Sequence, residues 1–226
     1  FNYHTNMRIS VTEEIKGACP NFVGAAVMAK VVNSENDENL LKEIGELSIL
    51  MRMSFNTEQI KSISAIEATR HAYRILGKDP SRYRPSGEAL IRRILKGQSL
   101  YHINTLVDLI NLASMKFGYS IGGFDSDKID GDKLILGVGG HEEPYEGIGR
   151  GLLNIEGLPV YRDATGGIGT PTSDHERTKI DLETMNCLVL VNGYDGNKDS
   201  VVANARFIQK LLGDYCQSDG GNLILF

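Results

Sequence analysis

Residues 103–116 read INTLVDLINLASMK, and they separate a helix-rich first half of the chain from a strand-rich second half. Apolar side chains recur at helical spacing on nearly opposite sides of this stretch: Ile103, Leu106, Val107 and Ile110 on one side, Leu109 and Leu112 on the other. A helix with two apolar sides is buried almost all round. We therefore expect this helix to lie at the centre of the fold.

A single polar stripe runs along the same predicted helix. Asn104, Asp108 and Asn111 are spaced i, i+4 and i+7, which places them on one side. Because buried polar groups need partners, the stripe either ties down neighbouring backbone or lines a wet cleft, and the spacing favours neither. In a cleft these groups would bind substrate, such as an amino acid or a ribose hydroxyl.

The segments around this helix predict an α+β fold, because helices gather before it and short strands after it. Before it, residues 22–32 predict a buried strand that pairs with residues 8–15, and helices are predicted around residues 40–51, 57–76 (capped by Thr57) and 88–96. After Gly118, strands are predicted at residues 134–138, 158–161, 187–191 and 223–226, with a helix at 200–212 capped by Asp199 or Ser200. This gives about seven strands and five helices in mixed sheets.

Length and charge narrow the class of protein. With 226 residues and a formal charge of −5, we expect one domain over residues 7–226 that does not coat nucleic acid by bulk charge. We expect residues 1–6 to be a remnant of the expression vector. No apolar run is long enough for a membrane helix, and three cysteines without C-x-x-C spacing favour a reducing cytoplasm.

Common catalytic and cofactor motifs are absent. The glycines 147, 149 and 151 do not have the spacing of a dinucleotide or P-loop motif, and the five histidines show no metal-ligand spacing, so no cofactor and no metal is expected. Ser173, Asp174 and His175 are adjacent, so they cannot form a catalytic triad among themselves. The spacing of Ser173 and Glu176 instead favours a helix capping box, about two to one.

A basic segment stands out in this acidic chain. Residues 78–96 carry six Lys or Arg against Asp79 and Glu88, a local charge of +4. A solvated helix face is the commoner explanation, but guanidinium groups near an aromatic ring also suit phosphate contact and base stacking. The residues expected to contact RNA are Arg82, Tyr83, Arg84, Arg92 and Arg93.

Four segments in this order resemble freestanding relatives of the B3/4 domain, the editing module of the phenylalanyl-tRNA synthetase beta subunit. They are RPSGEAL at residues 84–90, INTLVDLIN at 103–111, IGGFD at 121–125 followed by Lys128 and Ile129, and SDHERT at 173–178. The resemblance implies mixed β-structure packed with helices in a three-layer β/β/α or barrel-like arrangement around a pocket. It implies no aminoacylation activity.

The resemblance also implies site residues. Asn104, Asp108, Asn111, Phe124 and Asp125 match family positions, and residues 172–177 take the place of a pocket-forming loop. The chain departs from the synthetase module at Gly122, where that module has histidine, and at residues 170–172, where it has a Gly-Gly segment.

Three functions are open at this point. The chain hydrolyses mischarged aminoacyl-tRNA in trans, or it binds RNA or an amino acid without turnover, or it acts on a small molecule without tRNA. For the first, we expect a substrate contact from Ser173 and catalytic roles for Asp174, His175, Glu176 and Arg177, because ester hydrolysis needs a held water and an oxyanion donor. The partner is then the 3′ end of aminoacyl-tRNA, with no membrane involved.

Overall fold

The computed structural model describes residues 7–226, so the prediction for residues 1–6 lies outside it. Within that range the α+β class is confirmed, with ten strands and six α-helices, more than the sequence predicted. The strands are β1 Arg8–Val11, β2 Val23–Lys30, β3 Ile121–Asp125, β4 Lys133–Val138, β5 Glu146–Gly147, β6 Gly151–Leu152, β7 Pro159–Arg162, β8 Gly167–Gly169, β9 Asn186–Gly193 and β10 Asn222–Leu225. The helices are α1 Glu13–Ala18, α2 Glu38–Ser54, α3 Ser64–Ile75, α4 Ser86–Leu95, α5 Thr105–Phe117 and α6 Lys198–Tyr215, and 3₁₀ turns span Thr57–Ser62, Ser126–Lys128 and Glu176–Thr178.

The strands form two four-stranded sheets and a short hairpin. The first sheet has the order β1-β4-β7-β8 and is mixed, because β1 runs parallel to β4 while the other pairs are antiparallel. The second sheet, β10-β2-β9-β3, is antiparallel throughout. The predicted pairing of residues 8–15 with β2 is wrong: β1 joins the other sheet, and Thr12 then caps α1.

The layers follow from the alternation along β2, one of the two inner strands of the second sheet. Ala25, Val27 and Ala29 pack against the helices, whereas Ala26 and Met28 face the first sheet. Since successive side chains point to opposite faces, a strand that is apolar throughout must be covered on both sides. The result is three layers: helices, second sheet and first sheet.

Two predicted helices begin at other residues. Residues 57–76 are divided into a 3₁₀ turn and α3, and Asn56 rather than Thr57 caps the turn in a capping box with Gln59. Asn197 caps α6, which continues past Gly213. In each case an asparagine just upstream provides the side-chain acceptor for the first free backbone N–H groups.

Helix α5 positions the site. It packs against α6, α4 and β3, and most of its residues are buried, as the sequence predicted. Asn104 caps its start by accepting from the backbone N–H of Val107 at 3.0 Å. Gly118 ends it with φ of 83°, a conformation that glycine adopts without strain.

Candidate functional site

A pocket of about 290 Å³ opens between α5, β3, the β5–β6 hairpin and the loop of residues 170–180. Its polar lining groups are the side chains of Asn111, Asp174 and Lys179. The remaining walls are glycine and aliphatic side chains: Gly123, Ile103, Val107, Ile110, Ile121, Ile148 and Ile180. A mostly apolar pocket with few polar groups is the usual form of a small-ligand site.

Two adjacent glycines of β3 have different surroundings, and only Gly123 lines the pocket. A Cβ on Gly123 would lie 2.7 Å from Cδ1 of Ile110 and 3.2 Å from Cδ1 of Ile180, so the bare backbone lets these walls close over the strand. A Cβ on Gly122 would lie 2.8 Å from the ring of Phe124. The glycine found in place of the synthetase module's histidine therefore makes room for that ring.

The predicted polar stripe of α5 is divided between structure and pocket. Asn104 is the helix cap, and Asp108 is buried with Oδ1 accepting from the backbone N–H of Ile103 at 3.0 Å. Burial raises the pKa of Asp108. Asn111 alone of the three lines the pocket, and its side chain makes no hydrogen bond within residues 7–226.

Asp174 lies on a tightly held loop. Its backbone bridges to Gly169, and its carbonyl oxygen accepts from the N–H of Ile148 at 3.0 Å. The preceding carbonyl, of Ser173, accepts from the hydroxyl of Tyr145 at 2.6 Å and from that of Thr170 at 3.0 Å. These bonds fix the position of the Asp174 side chain relative to the pocket.

The carboxyl group of Asp174 has no counter-ion among the described residues. Oδ2 accepts one hydrogen bond, from the backbone N–H of Gly123 at 3.2 Å. Loss of solvent around this carboxyl raises the pKa of Asp174 to about 7, against the opposing effect of the Gly123 bond. A pKa near the operating pH is the value that suits a general base, because the ionised form is present and still binds a proton well.

The neighbouring predicted catalytic residues are engaged elsewhere. Nδ1 of His175 accepts from the N–H of Arg177 and caps the 3₁₀ turn, so the predicted capping box of Ser173 and Glu176 is wrong. Oε1 of Glu176 accepts from the N–H of Gly149, and Oε2 pairs with Lys179 at 2.7 Å. These two bonds lower the pKa of Glu176, the Lys179 bond most.

Arg177 forms a bidentate ion pair with Asp163. Its two terminal nitrogens each donate to a carboxylate oxygen of Asp163 at 2.8 Å, and the Asp163 side chain is fully buried. Parallel bonds of this kind hold both planes in one geometry. The guanidinium of Arg177 thus anchors the loop to the turn after β7.

Three other predicted substrate contacts lie outside the pocket lining. Phe124 is fully buried in the core between the sheets. Asp125 accepts from the N–H of Asp127 and from the hydroxyl of Thr184, which ties the end of β3 to the segment before β9. The hydroxyl of Ser173 makes a long bond of 3.3 Å to the carbonyl oxygen of Asp174.

The predicted RNA-contacting residues do not share one environment. Arg92 donates to Glu88, and Arg93 donates to the carbonyl of Ser99 and covers the ring of Tyr101. Lys78 and Arg82 both lie over the ring of Tyr83, at 3.8 Å and 5.6 Å from its centroid. Nε of Arg84 is buried without a hydrogen-bond partner in the described part of the chain.

Sequence reasoning missed several pocket residues. It assigned Ile103, Val107 and Ile110 to an apolar core face, and that face is in part the pocket wall: Ile103 is 61% exposed. Nothing in the local pattern singled out Ile148 or Lys179. Within residues 7–226 no group of three or more His, Cys, Asp or Glu side chains is placed to hold a metal ion.

A family model for the B3/4 domain matches residues 68–209, more than half of the chain. The chain belongs to the B3/4 domain family. The match includes the whole of α4, α5 and β3, the β5–β6 hairpin and the loop that carries Asp174.

A solved structure shares the fold of this B3/4 domain protein. It is an N-terminal fragment of the phenylalanyl-tRNA synthetase beta subunit from Pyrococcus horikoshii, with a TM-score of 0.50 and 16% sequence identity. The likeness covers 97% of this chain and 51% of that one, so this chain spans about half of the fragment's length. No curated protein matches the chain.

Residues 7–226 contain six α-helices. None of them combines the length and the apolar character that crossing a bilayer requires.

Proposed function

We propose that this B3/4 domain protein binds the aminoacylated 3′ end of a tRNA and hydrolyses the ester in trans. The observation that carries the proposal is the Asp174 carboxyl: it lines an apolar pocket, lacks a counter-ion in the described residues and has its pKa raised to about 7. The tRNA part is supported by the family and by the fold shared with a synthetase fragment.

The proposed chemistry uses two side chains of the pocket. The ionised Asp174 accepts a proton from a water molecule as the water oxygen bonds to the ester carbonyl carbon. The bond from that carbon to the ribose oxygen then breaks, and Asp174 returns the proton to the ribose oxygen, which leaves as a hydroxyl. Asn111 donates its amide N–H to the carbonyl oxygen, where negative charge develops. The aliphatic walls hold the amino-acid side chain and exclude bulk water.

The test is release of amino acids from a panel of charged tRNAs. We expect the protein to release at least one amino acid faster than buffer does, and Asp174→Asn to slow that release about 100-fold or more, since a general base contributes on that order. Asp199→Asn is the matched control, because Asp199 is an exposed aspartate at the start of α6. Release at the buffer rate across the panel would contradict the proposal.

A second function is favoured by a separate observation. Of the four residues expected to act in catalysis, His175, Glu176 and Arg177 are held in contacts of their own, which leaves one titratable group for chemistry. That arrangement suits a module that binds an aminoacyl group without turnover. Saturable binding of a charged tRNA, with the ester intact after hours, would support this alternative over hydrolysis.

A further inference from the structure

Two arginines near the pocket make no ion pair and no side-chain hydrogen bond within residues 7–226. They are Arg84, in the segment before α4, and Arg150, in the turn of the β5–β6 hairpin. The other cations close to the pocket are occupied, because Lys179 is bound by Glu176 and Arg177 by Asp163. These two guanidinium groups are therefore available to an anion.

Both arginines flank the same turn, residues 171–173. On one side, the carbonyl of Tyr83 accepts from the hydroxyl of Thr172 at 2.8 Å, and the N–H of Ser86 donates to the carbonyl of Pro171 at 2.7 Å. Arg84 lies between these two tethers in sequence, so its backbone is pinned against the turn.

Arg150 reaches the turn from the other side. The point that a Cβ on Gly147 would occupy lies 3.5 Å from both Cβ and Cδ of Arg150, and 3.1 Å from Oγ of Ser173. The stem of Arg150 and the Ser173 hydroxyl are therefore neighbours above Gly147. Ser173 can rotate its hydroxyl toward a ligand, since its present bond is long.

Arg84 shows in addition the signature of a missing acceptor. Its Nε is buried and unsatisfied, and a buried charged donor without an acceptor is costly to the fold. Helix α4 begins two residues later, and the positive end of its dipole adds to the positive charge of Arg84, although its first two N–H groups already donate to Pro171 and Ser120. An anion at this place would be attracted by both charges and would give the Arg84 guanidinium an acceptor.

We propose that Arg84 and Arg150 form a phosphate-binding site for the RNA backbone just upstream of the terminal, aminoacylated nucleotide. The site adjoins the pocket, because Ile148 and Asp174 line the pocket. Arg150 comes two residues after Ile148, and Ser173 directly precedes Asp174. Two residues span at most about 7 Å. A spacing of that order suits one nucleotide. This inference rests on the proposed function and assigns it a docking contact.

The experiment measures binding alone, so that it does not depend on hydrolysis. A labelled RNA hairpin with a single-stranded CCA end, carrying no amino acid, is titrated with the full chain at several salt concentrations. We expect Arg84→Gln and Arg150→Gln each to weaken binding several-fold, and to reduce the slope of log K against log salt by about 0.7, the value for one single-strand phosphate contact. Arg206→Gln, at an exposed position of α6, should bind as the unaltered protein does.

The outcomes separate the two proposals. Unaltered binding in both variants, or no binding of the hairpin at low salt, would overturn the phosphate site, even if charged tRNA is hydrolysed. Weakened binding in both, without any release of amino acid by the unaltered protein, would support the phosphate site and contradict the hydrolase. Because Arg150 is exposed in a hairpin turn, its variant tests the site even if Arg84→Gln fails to fold.

Discussion

Two carboxyl groups of this molecule, one buried and one half-buried, have opposite surroundings. Glu88 of α4 is fully buried and accepts from Nη1 of Arg70 at 3.0 and 3.1 Å and from Nε of Arg92 at 3.0 Å. Asp174 accepts a single backbone N–H, from Gly123. One carboxylate is thus compensated by two cations, and the other by none among residues 7–226.

The difference distinguishes a carboxyl group that stabilises the fold from one that can take part in proton transfer. A buried ion pair with all its partners holds elements in place, here α3 to α4 through Arg70 and Glu88. A carboxyl that loses solvent without gaining a cation keeps its proton to higher pH, and a group of that kind in a pocket is a candidate for proton transfer. Glu88 therefore stabilises the fold, and Asp174 is the carboxyl group on which the proposed hydrolysis depends.

The largest expected effect on stability is at Glu88, the carboxylate that two cations compensate. Glu88→Gln should lower the free energy of unfolding by about 3 kcal/mol, because it leaves the buried guanidinium of Arg70 and the half-buried one of Arg92 facing a neutral amide. Chemical denaturation measures the change, with the exposed Glu67→Gln of α3 as the control expected within about 0.5 kcal/mol of the unaltered protein. A loss below about 1 kcal/mol for Glu88→Gln would remove the distinction between the two carboxyls.

The ion pair of Arg177 with Asp163, which anchors the loop that carries Asp174, should have the next largest effect. Arg177→Gln is expected to lower the free energy of unfolding by about 2 kcal/mol, since the buried Asp163 loses two charged hydrogen bonds but keeps those from the N–H groups of Asp130 and Gly166. Denaturation of this variant is compared with Arg206→Gln. A variant as stable as the unaltered protein but without hydrolysis would instead place the guanidinium in the reaction.

A smaller effect, dependent on pH, is expected at Asp174. The folded-state pKa of about 7 lies above the unfolded value near 4, so the folded protein binds one more proton between these values, and its stability falls as pH rises from about 4 to about 7. Asp174→Asn removes this loss. The free energy of unfolding is measured by denaturation at pH 4 and pH 8 for both proteins. Relative to the unaltered protein, we expect the variant to be more stable at pH 8 than at pH 4 by at least about 1 kcal/mol. An equal pH dependence in the two proteins would contradict the raised pKa.

The smallest effect on stability is expected at Asn111. Its side chain makes no hydrogen bond within the described residues, so Asn111→Ala should change the free energy of unfolding by no more than about 0.5 kcal/mol. If the amide donates to the ester carbonyl, the same variant slows release of the amino acid. Asn104→Ala, which removes the α5 cap, is the contrasting variant and should cost about 1 kcal/mol in denaturation.

Local sequence patterns predicted where helices and strands lie better than they predicted which strands pair. The apolar run of β2 and the two-sided apolar pattern of α5 indicated burial on both faces, and burial on both faces implied layers. The parallel pairing of β1 with β4 depends on a contact between residues more than 120 positions apart, for which no local signal exists. The strands β5, β6 and β8 are two or three residues long, too short to show a period.

The site was predicted only in part, for a physical reason that α5 illustrates. Spacing placed Asn104, Asp108 and Asn111 on one stripe, but Asn104 has extended backbone as the helix cap, and Asp108 bonds the segment that leads into the helix. Which polar group remains available depends on the loops that pack against the stripe. Asp174 was among the expected catalytic residues, yet its isolation from cations follows from tertiary contacts that spacing does not encode.

The most direct test of the distinction between these two carboxyls is the pKa of Asp174 itself. The carboxyl carbon of Asp174, identified by its loss in Asp174→Asn, is followed by carbon-13 NMR across pH 4 to 9 in the full chain. A midpoint near 7 is the result expected for a carboxyl without a counter-ion. A midpoint at or below 4 would show that the group is compensated like Glu88, and would contradict both the distinction and the proposed general base.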